Sequence, residues 1–146
     1  MAKWTAFPHT GDYSWDSASL KKQWARLHRG DCEPLPKDAA VLAAWVLFHN
    51  GEFQKAAEAG AKAGGAGITV ANKATAIYAN YLETKEKNKL DLFMQVAEQA
   101  EAQQAAEPSN PNAWYWQAYA LGRYSQGISV AKALAQGLGT KVKQAL

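Results

Sequence analysis

The sequence predicts an all-α fold: about three antiparallel helix pairs, preceded by an aromatic arm and a capping helix. Three observations carry this expectation. Alanine-rich apolar runs recur at helical spacing; β-branched residues are few and no stretch alternates as a strand would; and Gly or Pro clusters interrupt the runs where short helix–helix turns belong. At 146 residues and 15.9 kDa the chain is long enough to bury a stable core, since chains of this size bury roughly two-thirds of their unfolded surface.

Residues 1–37 are expected to hold the arm and the capping helix, and 38–146 the helix pairs. Trp4, Phe7, Tyr13 and Trp15 stand among Pro and Gly without helical periodicity, which fits an extended segment laying its aromatics on the body. Ser14 and Asp16 are candidate caps for a helix reaching about Arg29, with Leu20, Trp24 and Leu27 on one face and Gly30 as its stop. After Pro34 and Pro36, Asp38 caps a helix through about Asn50, and its partner runs from about Glu52 to Lys62. The Gly64-Gly65-Ala66-Gly67 cluster ends that pair. Thr69 is then placed as the cap of a helix through about Thr84, and Lys85 to Lys89 as the turn into a long helix ending near Glu107. In that helix Leu90, Phe93, Met94, Ala97 and Ala100 form an apolar stripe. Pro108 and Pro111 bracket the next turn; a third pair begins at Asn112, continues through about Tyr124 and returns from Ile128 towards the C-terminus.

One junction is unusually specific. In Asn50-Gly51-Glu52-Phe53-Gln54-Lys55-Ala56, Gly51 can take the left-handed conformation that ends a helix, Phe53 can staple the turn, and Ala56 is small enough for the next helix to lie close. This pattern resembles the tetratricopeptide repeat, an antiparallel helix pair. Ala113-Trp114-Tyr115 with Ala118 and Leu121 is similar to a further copy, and Lys73 to Ala100 follows it by helical pattern. The resemblance covers about residues 38 to 146, with helix starts near 38, 69 and 112 instead of a regular ~34-residue period. It implies a right-handed superhelical stack and a role in binding other proteins. Gly122-Arg123-Tyr124 and Ser129 to Ala135 resemble the helix turn in bacterial relatives of the regulator of microtubule dynamics family, which are themselves tetratricopeptide-like. Lys141 to Leu146 stop in mid-periodicity without Gly or Pro, so the chain is expected to be the start of a longer array or to have its last helix covered by another chain.

The formal charge of +3 is small and divides into a mildly acidic stretch from Glu83 to Glu107 and a basic tail of Arg123, Lys132, Lys141 and Lys143, so a nucleic-acid partner is not expected. No apolar run approaches the ~18 residues of a membrane span, and the segment from Met1 to His9 has no secretory-length apolar core. Lone Cys32 cannot form an internal disulfide; with a reducing compartment as the default, a cytoplasmic location is expected. His28 and Cys32 stand four apart near Asp31 and Glu33, but Gly30 and Pro34 interrupt the helix and the ligand set is too small for a structural zinc. Gly64 to Gly67 lacks the Gly-Lys-Ser/Thr of a phosphate loop, and Glu98 and Glu101, beside Gln99, Gln103 and Gln104, read as a solvated face. Ile128, Val130, Leu134, Leu138 and Val142, interspersed with Lys132, Lys141 and Lys143, read as a packed helix with solvated lysines. No cofactor or metal is expected.

The run from Trp114 to Tyr119 holds the main functional candidates, because consecutive aromatics on a helix cannot all face one core. With Trp114, Ala118 and Leu121 against the paired helix, Tyr115, Tyr119 and Arg123 line another face. In the tetratricopeptide family the corresponding positions line the concave groove, and the resemblance carries that role to Val41, Trp45 and His49 in the first pair and to Lys73, Ile77 or Asn80, and Tyr81 in the second. Such a groove offers aromatic contact area and an arginine fork to an acidic or C-terminal peptide segment. The Lys and Asn set with which the family grips a terminal carboxylate is mostly missing. The competing reading packs these aromatics against the arm, filling the groove from within. The expected function is non-catalytic protein or peptide binding. Self-assembly as a homo-oligomer through the C-terminal helix is the rival, and an enzyme comes third for want of a nucleophile–base–orienter set.

Overall fold

A computed structural model describes residues 3–9, 11, 14–128 and 137–145, and it is all-helical. Among those residues there are seven helices and no strand: α1 Ser17–Leu27, α2 Ala39–His49, α3 Phe53–Ala63, α4 Gly67–Tyr81, α5 Glu86–Ala106, α6 Pro111–Gly127 and α7 Leu138–Ala145. None of these helices is long and apolar enough to cross a membrane. Contacts gather the chain into two compact units, Met1–Ala74 and Thr75–Leu146, with the division inside α4. In packing, the arm and α1 belong with α2 and α3.

In the first unit Asp16 caps α1 reciprocally: its carboxylate accepts from the Ser19 N–H at 2.8 Å while Ser19 Oγ accepts from the Asp16 N–H at 3.0 Å. Asp38 caps α2 through the Ala40 N–H at 2.7 Å. The α2–α3 turn closes as the sequence suggests. Gly51 has φ +80°, its N–H donates to the Phe48 carbonyl at 2.9 Å, and the Glu52 N–H donates to the Leu47 carbonyl at 3.0 Å, a Schellman arrangement. Phe53 meets Phe48 edge-on at 5.5 Å, and Ala56 is fully buried. The arm lies on this turn. Phe7 stands over Gly51 and meets Phe53 at 5.6 Å, the Trp4 N–H donates to Gln54 Oε1 at 3.0 Å, and Asn50 exchanges two bonds with the Trp15 backbone. Tyr13, also expected in the arm, lies outside the described residues.

Two boundaries differ from expectation around α4. Thr69 is not a cap but a fully buried residue two positions inside the helix, which starts at Gly67 because Gly64 and Gly65, both at positive φ, reverse the chain earlier. The helix ends at Tyr81, short of Thr84: the Glu83 carboxylate accepts from the N–H groups of Thr84 and Lys85 and from the Tyr78 hydroxyl, and so builds the turn into α5, which begins at Glu86 within the expected Lys85–Lys89 turn.

The second unit packs Ala76 and Ala79 of α4 with Phe93, Val96, Ala97 and Ala100 of α5 and Trp116, Ala120 and Leu121 of α6. Leu90 and Met94 are only partly buried; Val96, absent from the expected stripe, takes the centre. Asn110 caps α6 through the Asn112 N–H at 3.0 Å, with Pro111 at the first position. Ala118 and Leu121 are buried as expected, but the core tryptophan is Trp116, whereas Trp114 is partly exposed and donates Nε1–H to the Pro108 carbonyl at 3.1 Å. Gln103 and Gln104 are buried, against the expected solvated face: Gln104 Nε2 donates to the Ala113 carbonyl at 3.1 Å and to Gln117 Oε1 at 2.7 Å, tying α5 to α6. Along α7, which packs on α6, Val142 and Ala145 turn inward while Lys141 and Lys143 are exposed. Val130, Lys132, Leu134 and the turn expected over 129–135 lie outside the described residues.

Gly60 and Gly67 mark the tightest approach in the first unit: a Cβ on Gly60 would stand 2.4 Å from the Gly67 carbonyl oxygen and 2.9 Å from the Ala71 nitrogen. Since backbone cannot yield there, Gly60→Ala is expected to lower stability by at least ~2 kcal/mol in urea denaturation. Gly122, in α6, provides the contrast, because a methyl group added there would meet nothing within 4 Å. At that position Gly→Ala is expected to stabilise by roughly 0.5–1 kcal/mol.

Candidate functional site

The residues expected to line a groove in the first pair fall into the interior. Val41 and Trp45 are buried, at 3% and 0% exposure, which corrects their assignment to an open binding face. The reason is that α1 covers this side of α2: Trp24 of α1 meets Trp45 edge-on at 5.7 Å, and His28, the C-cap of α1, meets it at 4.7 Å. His49 and Lys73 are partly buried and belong to a polar cluster around the same tryptophan.

Asp31 is the hub of that cluster. Its carboxylate accepts from His28 Nδ1–H at 3.0 Å, from Lys73 Nζ at 2.9 Å and from the Glu33 N–H at 3.2 Å, with 14% of its side chain exposed. The turn that aims it carries the one positive φ outside glycine among the described residues, Cys32 at 53°, with the Cys32 N–H returning to the His28 carbonyl at 2.9 Å. Burial opposes ionisation of Asp31, but the bonds from His28 and Lys73 and the lysine charge outweigh it and hold the carboxyl well below its ordinary value. Because a carboxylate accepts at Nδ1, the remaining His28 nitrogen, Nε2, faces Nε2 of His49 at 2.9 Å. His49 is lowered to about 4, first by burial and then by the positive charge of His28 and of Lys73, with Asp31 opposing. Trp24 stacks on His28 at 3.8 Å, and the Lys73 ammonium stands over Trp45 and Phe48 at 5.7 and 5.3 Å.

Sequence reasoning passes over His28 and Asp31 as helix-end residues. Their i, i+3 spacing past α1 is a local signal; their meeting with His49, 21 positions on, is not. Among the described residues no group of three or more His, Cys, Asp or Glu side chains is placed to hold a metal, and the Cys32 thiol is exposed.

In the second unit three of the candidate residues are neighbours on α6. Tyr115 and Tyr119 are neighbours at 6.1 Å, the Arg123 guanidinium lies 5.3 Å over the Tyr119 ring, and one Arg123 N–H donates to Gln126 at 3.3 Å. Tyr81 and Tyr115 are 71% and 51% exposed, and both act electrostatically on the Tyr119 hydroxyl, whose pKa is raised chiefly by burial while Arg123 pulls it back. Tyr115 also borders a groove lined by Pro111, Trp114, Gln144 and Ala145. Ile77 and Asn80 are partly buried on α4. No family model, curated protein or solved structure matches the chain.

The hub role of Asp31 makes a direct prediction. Asp31→Asn is expected to destabilise the first unit by about 3 kcal/mol at neutral pH, because Lys73 and His28 lose their shared anion. The native carboxyl titrates below its ordinary value of 3.8, so the wild-type advantage should persist above that pH and shrink as pH falls through and below it, as denaturation curves of both proteins will show.

Proposed function

We propose that this protein is a non-catalytic helical interaction module that binds a peptide segment of a partner protein on the face formed by Tyr81, Tyr115, Tyr119 and Arg123. The observation that carries the reading is the exposure of a large aromatic, Tyr115, beside Tyr119, whose ring lies under Arg123, with a second exposed tyrosine, Tyr81, at the end of α4 near enough to act on the Tyr119 hydroxyl. Tyrosines give broad contact at low entropic cost, and Arg123 offers a planar fork to a carboxylate. Among the described residues no carboxylate stands within ion-pairing distance of that fork. The groove beside Tyr115 provides space for an apolar side chain of the same segment. The preferred ligand is therefore an extended peptide with an acidic side chain or free carboxyl terminus next to an apolar residue.

The finer architecture in this proposal is a tetratricopeptide-like stack, supported by the Schellman turn at Gly51, the Phe53 staple and the buried Ala56. Self-assembly through the last helix draws less support, since the described side chains of α7 turn Val142 and Ala145 inward and leave lysines outside.

The test is selection of binders from a display library of peptides with free C-termini, followed by fluorescence anisotropy on the recovered sequences. Tyr119→Ala combined with Arg123→Glu is expected to weaken binding at least ~30-fold, the loss of a central anchor pair, with far-UV dichroism and melting cooperativity retained. Equal binding by a folded double variant would contradict the assignment of this face.

A further inference from the structure

We propose that His28 and His49 form a pH-operated latch that holds the arm and α1 on α2, closed while the two imidazoles share one hydrogen between them and released when both are protonated. The geometry follows from Asp31. Ionised and anchored by Lys73 and the Glu33 N–H, it claims Nδ1–H of His28 and leaves Nε2 of that ring 2.9 Å from Nε2 of His49. One hydrogen fits between two nitrogens at that distance. A neutral His28 can accept it from His49, or a protonated His28 can donate it, and the bond survives either way. A second proton sets N–H against N–H and cation against cation beside the rings of Trp24, Trp45 and Phe48.

The surrounding charges do not relieve this. From the end of α1 comes His28 itself; from the loop after it, Asp31, whose charge favours a proton on His49 but is outweighed by burial, His28 and Lys73, and the buried Glu33; from α4, Lys73, a further cation. The described arm residue in contact, Trp15, brings an uncharged ring, edge-on to His49 at 6.4 Å. His49 is the last residue of α2, and Asn50 beside it holds the Trp15 backbone through bonds of 2.7 and 3.0 Å. The imidazole that bonds the end of α1 therefore also seats the arm, so parting the two histidines loosens both attachments. The sign follows from the lowered pKa of His49: the closed state excludes a proton that the open state accepts. Closure is complete above about 6.5 and weakens as pH falls towards about 4.

The test is hydrogen exchange of the full chain read by mass spectrometry from about pH 7.5 to 4, with rates corrected for intrinsic exchange. In the wild type the opening constant for the arm and for the segment around Asp31 should rise up to ~tenfold per pH unit below about 6.5, while α2 and α3 stay protected. His49→Gln, which keeps a neutral hydrogen-bonding group beside His28 and cannot titrate, should stay flat over the same range. An equal rise in that variant, or simultaneous loss of protection in α2 and α3, would overturn the latch. Should His49→Gln fail to fold by far-UV dichroism, ring titrations of the wild type by NMR decide: a coupled pair with one value far below the other supports the latch, and two independent titrations near the ordinary value refute it.

Discussion

The anion of Asp31 is the constraint on which the first unit turns. A carboxylate with 14% of its side chain exposed must be matched by donors, and here they come from three directions: a histidine at the end of α1, a lysine from α4, and the backbone of its own loop. Each match fixes something else. The bond to His28 sets the tautomer that faces His49; the bond to Lys73 draws an ammonium over Trp45 and Phe48; the loop bond places Glu33, whose carbonyl takes the Trp24 indole N–H. Polar specificity and aromatic packing are therefore one structure, with the charges deciding where the rings sit.

The second unit is organised differently, by small residues and one buried amide pair. Ala76, Ala79, Ala97, Ala100 and Ala120 allow close helix approach around Phe93, Trp116 and Leu121, and Gln104 with Gln117 fixes the register of α5 against α6, since a slip would leave buried amides unpaired. With the core met by Trp116, the other aromatics of that run are left to other tasks. Tyr119 packs on the edge of the core with Arg123 over its outer side, Tyr115 lies exposed beside it, and this aromatic area beyond what the core absorbs underlies the binding proposal.

What was legible in the sequence was local. Asp16 and Asp38 cap because a short acceptor before an apolar helical run satisfies free N–H groups; Gly51 closes its turn because its φ of +80° is open to glycine; the i, i+4 spacing of Tyr115, Tyr119 and Arg123 puts them on one face wherever the helix lies. What was not legible depended on a second segment. Trp114 and Trp116 are equally apolar, and only the positions of α4 and α5 select Trp116 for burial. Gln103 and Gln104 look solvent-facing until α6 supplies partners, and Val41 and Trp45 look like groove residues until α1 covers them. The His28–His49 contact joins the ends of two helices and has no periodic signature.

Long-range proton–nitrogen NMR of the imidazole rings near neutral pH reads the protonation pattern that Asp31 imposes. The expected result is Nδ1 of His28 protonated and Nε2 of both rings shifted by a hydrogen shared between them. Two rings in the independent Nε2–H form, exchanging freely with solvent, would contradict the Asp31-centred cluster and the ordering of α1, α2 and the arm derived from it.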